Sequence, residues 1–173
     1  GLKNFEALFG SLGKRVPSAF QYSLVNNLKW LLTFITVPVA VGLGLAMVLN
    51  QDVKGDRTFK MGIFLPQVLS LPVIALVWSY GIYNPTDGLI NSVLRSLGVA
   101  NPPGWLADKY LVIWAIILAA AWRQVGYIMI LYVAGLKNVD PTLLEASRVD
   151  GANAWERFRY VVFPLLAPVT TIV

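Results

Sequence analysis

Three long apolar stretches divide the chain, and each is close to the length of a membrane-spanning helix. Residues 30–49 and 61–83 contain no charged side chain, and residues 110–136 are interrupted by a single arginine. A helix needs roughly 20 mainly apolar residues to cross the hydrocarbon core of a bilayer. The pattern therefore predicts three complete spans, and the shorter apolar run 161–173 predicts the start of a fourth.

The composition agrees with this pattern. Hydrophobic residues make up 57% of the chain and charged residues only 13%, whereas soluble domains carry about 25% charged residues. We expect an all-α membrane protein with a single domain over residues 1–173. Because the sequence begins with Gly1 and its last apolar run is shorter than a span, we also expect it to be truncated at both ends.

Three prolines lie inside the first two apolar stretches. Pro38 belongs to the first, and Pro66 and Pro72 belong to the second. Proline removes a backbone N–H, but neighbouring helices can satisfy the freed carbonyl inside a membrane. We therefore predict kinks within continuous spans at these positions.

The basic residues of the loops predict an orientation. The loops at 50–60 and 137–160 are rich in lysine and arginine, whereas the longer loop 84–109 carries two basic residues. Cytoplasmic loops carry an excess of these residues, so we expect 50–60 and 137–160 to be cytoplasmic and a short amphipathic helix over 89–98 to lie at the outer surface. The N-terminal basic residues argue against this orientation: Lys3, Lys14, Arg15 and Lys29.

Several chemistries are absent from the sequence. The chain contains no cysteine and no histidine, which excludes disulfides, thiol nucleophiles and the common zinc and haem sites within it. It contains no glycine-rich phosphate loop and no catalytic triad. We expect no catalytic residue, no metal, no cofactor and no nucleic-acid partner.

The segment 137–160 carries the most specific pattern. Asp140 followed by proline predicts a helix start, and Gly151 predicts its end. Asn153 and Glu156 have the spacing of a capping box, which predicts a second short helix. The first helix carries a narrow apolar stripe formed by Leu143, Ala146 and Val149. An amphipathic element resting on lipid head groups is an equally good interpretation of this pattern alone.

The order Glu145-Ala146-Ser147, then Gly151, then Pro164 resembles the EAA loop of permeases of binding-protein-dependent ABC importers. Ser147 stands where that family has a second alanine. Stretches along the whole chain look like the carbohydrate-type permeases of this superfamily, among them GLKNFEALF, YNPTDGLINSVLRSLG and YVAGLKNVDPTLLEASRVDGANAWERF. The resemblance implies a polytopic helical bundle of about six spans in the plasma membrane of a bacterium or archaeon.

The resemblance also implies that this loop is a coupling helix that docks on a separate ATP-binding cassette ATPase. The implied ATPase-coupling residues are Leu144, Glu145, Ala146, Ser147, Asp150, Gly151 and Pro164. The implied partners are an ATPase dimer, a second permease subunit, an extracytoplasmic solute-binding protein and membrane lipid. The chain itself is then not an enzyme, because ATP hydrolysis belongs to the ATPase.

The implied solute is a sugar or a sugar-like molecule. A permease for a polyamine, a phosphate ester or a peptide is the alternative within the family, since the coupling loop looks alike across solute classes. A secondary transporter or channel is the alternative outside it. Such proteins usually place acidic residues in the membrane, whereas every Asp and Glu here lies outside the predicted spans.

Arg123 lies near the middle of the third predicted span, where a charge is costly unless it faces a cavity or a partner. Three interpretations are open. Arg123 lines the solute pathway together with Gln124, it pairs with an acidic residue on a span missing from this sequence or on the second permease, or its long side chain reaches the membrane surface.

Overall fold

The computed structural model describes residues 2, 3, 5, 19–50 and 55–173, and the secondary structure of these residues is helical. The basic residues Lys14, Arg15 and Lys54 lie outside the described residues. The helices are α1 (Ala19–Leu49), α2 (Asp56–Val68), α3 (Leu71–Leu76), α4 (Leu89–Ser96), α5 (Val112–Lys137), α6 (Pro141–Val149), α7 (Ala154–Arg157), α8 (Phe163–Leu165) and α9 (Ala167–Ile172). Two π-helical segments continue α3 and α7, at Val77–Ile82 and Phe158–Val162.

Among the described residues, α1 and α5 are long and apolar enough to cross a membrane, and α2 with the segment after it forms a third span if the bent pair is counted as one. Helix α5 covers the predicted stretch 110–136 almost end to end. Helix α1 begins at Ala19, well before the predicted start at Trp30. Its exposed side chains are mainly apolar, as expected of a surface that faces lipid.

The second predicted span is not continuous. Helix α2 ends at Val68, and the next helical stretch leaves at an angle of 100°. Leu69 and Ser70 between them have extended backbone conformations. Pro72 explains the position of the break, because a proline in a helix cannot donate to the carbonyl four residues earlier and its ring collides with it. The predicted kink at Pro72 is therefore a sharp break, whereas Pro66 lies within α2.

Helix α5 is the centre of the bundle. Helix α1 crosses α5 at Gly42. The two helices are so close there that a Cβ at Gly42 would lie 2.6 Å from the Ile128 side chain. Gly126 of α5 faces the backbone of Ile63 and Phe64 in α2, with no room for a Cβ. Small residues at such crossings let membrane helices approach closely. The buried core around α5 consists of Ala46, Leu49, Ile128, Met129, Tyr132, Val133 and Leu166.

The loop between the broken span and α5 contains the predicted surface helix as α4. Asn91 of this helix is fully buried. Its side-chain amide donates to the carbonyls of Pro85 and Pro103, and its oxygen accepts from the Trp105 indole at 2.7 Å. One buried side chain therefore connects both ends of the loop.

Candidate functional site

Helix α6 of the segment 137–160 begins as the sequence predicts. The Asp140 side chain accepts a hydrogen bond from the backbone N–H of Thr142 at 2.9 Å, and a proline occupies the first helical position. This hydrogen bond holds the pKa of the Asp140 carboxyl below its ordinary value. The N-terminal cap is thus confirmed.

Gly151 makes the corner after α6. Its φ of +84° lies in the left-handed region, where a residue with a Cβ is strained. The N–H of Ala152 donates to the carbonyl of Ser147 at 3.0 Å, and the N–H of Gly151 donates to the carbonyl of Arg148 at 3.1 Å. These two bonds form a Schellman motif, which satisfies the last carbonyls of the helix.

A capping box follows the corner directly. The backbone N–H of Asn153 donates to the Glu156 carboxylate at 2.8 Å, and the N–H of Glu156 donates to the Asn153 side chain at 3.0 Å. The predicted capping box is confirmed, with asparagine in the place of the usual serine or threonine. The corner is therefore fixed by backbone hydrogen bonds on both sides.

The predicted coupling residues do not share one environment. Glu145, Ala146, Asp150, Gly151 and Pro164 are exposed. Two others face the protein instead: Leu144 is half-buried, and Ser147 is buried with its hydroxyl donating to the Leu144 carbonyl at 2.8 Å. Ser147 consequently packs within its own chain and does not lie on the exposed apolar stripe.

The exposed apolar surface of α6 lies on the other side of the helix. Leu143 is 46% exposed and Val149 is 88% exposed. A valine at the last helical position, next to the corner, is thus left almost without packing partners in this chain. This side chain is therefore accessible to another protein.

The inner side of the segment faces the ends of the long helices across a small cleft. Leu144 and Phe158 line a cleft of about 190 Å³ together with Met47 of α1 and Leu136 of α5. Helix α6 therefore faces the ends of α1 and α5 across this cleft.

Arg123 and Gln124 line one intramembrane cleft of about 440 Å³. Phe34 of α1 and Trp78 of the broken span form other parts of its wall, which is mostly apolar. The structure thus brings the two predicted solute-pathway residues to the same space. Trp78 packs edge to face against Trp122, at 5.6 Å between ring centroids.

Arg123 also contacts the end of the broken helix. Its guanidinium donates to the backbone carbonyl of Gln67 at 3.5 Å, in the last turn of α2. A cation at this position interacts favourably with the helix dipole and with the carbonyls that the break leaves unpaired. Sequence reasoning missed this contact, because it placed Gln67 inside a continuous span.

Three polar atoms around the break are buried without a hydrogen-bond partner. They are Nε of Arg123, Nε1 of Trp78 and Oε1 of Gln67. Buried polar groups are costly when unpaired.

Apolar helices long enough to cross a membrane, packed around a cleft, define a helical membrane protein. The family described as "Binding-protein-dependent transport system inner membrane component" matches residues 37–172. The chain belongs to this family.

Relatives and a solved structure agree. The probable starch degradation products transport system permease protein AmyD of Thermoanaerobacterium thermosulfurigenes is 28% identical over 99% of this chain and 56% of its own length. The sn-glycerol-3-phosphate transport system permease protein UgpA of Agrobacterium fabrum is 32% identical over 98% of this chain and 55% of its own length. The chain thus spans little more than half the length of these relatives.

The fold resembles a chain in the crystal structure of a bacterial alginate ABC transporter in complex with alginate pentasaccharide-bound periplasmic protein. The TM-score is 0.82 at 22% sequence identity, over 99% of this chain and 58% of that chain. This similarity establishes the helical permease fold.

Proposed function

We propose that this chain forms part of the permease subunit of a binding-protein-dependent ABC importer. Its partners are a second permease subunit, a dimer of ATP-binding cassette ATPases that hydrolyses ATP, and an extracytoplasmic solute-binding protein. The family match over residues 37–172 supports this proposal. So does the alginate transporter of similar fold, which was crystallised with a periplasmic protein.

The segment 137–160 is the part that docks on the ATPase. The observation that carries this assignment is the corner at Gly151, fixed by a Schellman motif and a capping box while Val149 beside it is 88% exposed. A rigid corner transmits displacement, and within the part of the chain that the structure describes the side chain of Val149 is almost without packing partners. Closure of the ATPase pair would move α6, and the short connection to α5 together with the packing of α6 against the segment after the corner would pass this motion to the bundle.

This role requires segments 50–60 and 137–160 to be cytoplasmic. Their basic residues support that orientation, and the protein then lies in the plasma membrane of a bacterium or archaeon, with the loop 84–109 outside. Arg123 and Gln124 face the solute in the intramembrane cleft during one stage of transport.

The solute is a carbohydrate or a carbohydrate-like molecule. The name of AmyD refers to starch degradation products, and the alginate transporter of similar fold was crystallised with a periplasmic protein that carries an alginate pentasaccharide. A phosphate ester is the second candidate, because UgpA is named as a permease for sn-glycerol-3-phosphate. Uptake by the full-length transporter, measured with maltodextrins and glycerol phosphate in competition, would show which of the two candidate solutes it accepts.

The docking role is tested by two matched glycine substitutions. Gly98 at the end of α4 has a φ of +92° and open space around it, and the bonds that follow it repeat the Schellman motif at Gly151. A β-branched residue is strained at such positions by about 1–2 kcal/mol. We expect Gly151→Val in the full-length transporter to abolish the stimulation of ATP hydrolysis by the solute-binding protein, while Gly98→Val retains it. Normal stimulation in Gly151→Val would refute the docking role.

A further inference from the structure

A second cleft, of about 390 Å³, lies where the first turns of α2 meet the last turns of α5. It is separate from the intramembrane cleft, since the two share no lining residue. It opens at the ends of two membrane helices, on the same side as the segment 137–160 that directly follows α5. None of the functions described above uses it.

The charge of this cleft is positive. Arg57, Lys60 and Lys137 line it, against the single carboxylate of Asp56 among the described lining residues. Lys60 is only 16% exposed, and its ammonium lies 2.7 Å from the Asp56 carboxylate. The ion pair holds Lys60 at the cleft and neutralises one positive charge. Arg57 and Lys137 remain as exposed cations.

The wall of the cleft is apolar beyond these charges. Met61 and Phe64 of α2 and Ile130 of α5 complete the lining. They lie on the membrane side of the basic residues, because Met61 and Phe64 follow Lys60 into α2 and Ile130 precedes Lys137 by two turns of α5. A soluble anion has no apolar part to pack against this wall. A lipid has a charged head group for the basic residues and an acyl chain for the apolar wall.

We propose that this cleft binds an anionic phospholipid. The phosphate lies between Arg57, Lys60 and Lys137, and the start of an acyl chain follows Met61, Phe64 and Ile130. Basic pockets between membrane helices at the cytoplasmic surface are suited to lipid head groups. A lipid bound here would connect the two helices at the point from which the segment 137–160 departs.

The experiment uses the full-length transporter in phosphatidylcholine vesicles that contain a photoactivatable phosphatidylglycerol. We expect the lipid to label peptides of α2 and α5, and each cation removed should reduce labelling about fivefold. Arg57→Gln with Lys137→Gln tests the pocket and leaves the Lys60–Asp56 pair intact. Lys109→Gln, at the opposite end of α5, is the control and should label normally. Lys137→Arg keeps the charge and should also label normally.

Three results would overturn the proposal. Equal labelling by a photoactivatable phosphatidylcholine would show that the anionic head group is not recognised. Unchanged labelling in the double variant would show that these cations do not hold the lipid. Displacement of the label by inorganic phosphate would identify a site for a soluble anion.

Discussion

Single residues fix the ends of α6, and each acts over only a few positions of the chain. Asp140 caps its start, and Gly151 allows the left-handed turn at its end. In the proposed docking, Val149 offers an apolar surface that the described part of its own chain leaves uncovered. At the scale of single residues, the proposed docking depends on the backbone geometry of this corner more than on reactive side chains.

The cap at Asp140 predicts a response to pH. Folding lowers the pKa of this carboxyl below its ordinary value of 3.8, so the carboxylate stabilises α6 at pH values above that value. The stabilisation is lost as the pH falls through the lowered pKa. We expect a spin label at Leu143→Cys to become more mobile on acidification. Asp140→Asn retains a capping oxygen that does not titrate, and the same acid response in this variant would contradict the account.

The residues of this corner were recognisable in the sequence because their interactions are local. A cap, a C-terminal glycine and a capping box each join groups within about six positions. The inward position of Ser147 was not recognisable. It depends on how α6 packs against the elements after the corner, and the apolar pattern of a short helix does not determine that.

At the scale of helices, the crossing of α2 and α5 depends on Gly126. A Cβ at this position would meet the α2 backbone, whereas a Cβ at Gly44 of α1 would meet nothing within 4 Å. We expect Gly126→Ala to destabilise the protein by about 1–3 kcal/mol through overpacking, and Gly44→Ala to be neutral or stabilising. Thermal unfolding of the two variants in detergent measures this difference. Equal midpoints would show that the close approach is not required.

The contact between Arg123 of α5 and the end of α2 leads to a second prediction about these two helices. Its contact with the Gln67 carbonyl supports the end of α2 at the 100° break. We expect Arg123→Leu to broaden the distance distribution between spin labels at Met61→Cys and Tyr80→Cys. Gln124→Leu is the control, because Gln124 lines the same cleft beside Arg123. A narrow distribution in Arg123→Leu would show that the arginine does not hold the break.

The apolar stretches located the long helices, since an uninterrupted apolar run has few other stable arrangements. They did not locate the start of α1. Residues 19–29 include polar side chains, so a search for uninterrupted apolar residues does not include them. The break after Val68 was also missed, because proline in a membrane helix produces either a kink or an end. In this protein the contacts of α2 with Arg123 and Gly126 favour an end of the helix over a kink.

In the whole molecule, α5 connects the two sites. Arg123 and Gln124 lie in its middle at the intramembrane cleft, and Lys137 at its end leads into the segment 137–160, the docking segment of our proposal. Motion of the docking segment would therefore reach the cleft along a single helix. The sequence alone indicated the two ends of this path, which are Arg123 with Gln124 and the segment 137–160. That Arg123 and Gln124 line one cleft became visible only in the folded structure.

Cysteine crosslinking at Val149 tests the central claim most directly. Val149→Cys in the full-length transporter, in membranes with its ATPase, should crosslink to the ATPase, and the yield should change when nucleotide closes the ATPase pair. Leu97, which is 75% exposed, lies in the loop 84–109 that the proposed orientation places outside, so Leu97→Cys should not crosslink to the ATPase. Absence of any Val149→Cys crosslink in an assembled, ATP-hydrolysing complex would contradict the coupling role of this segment.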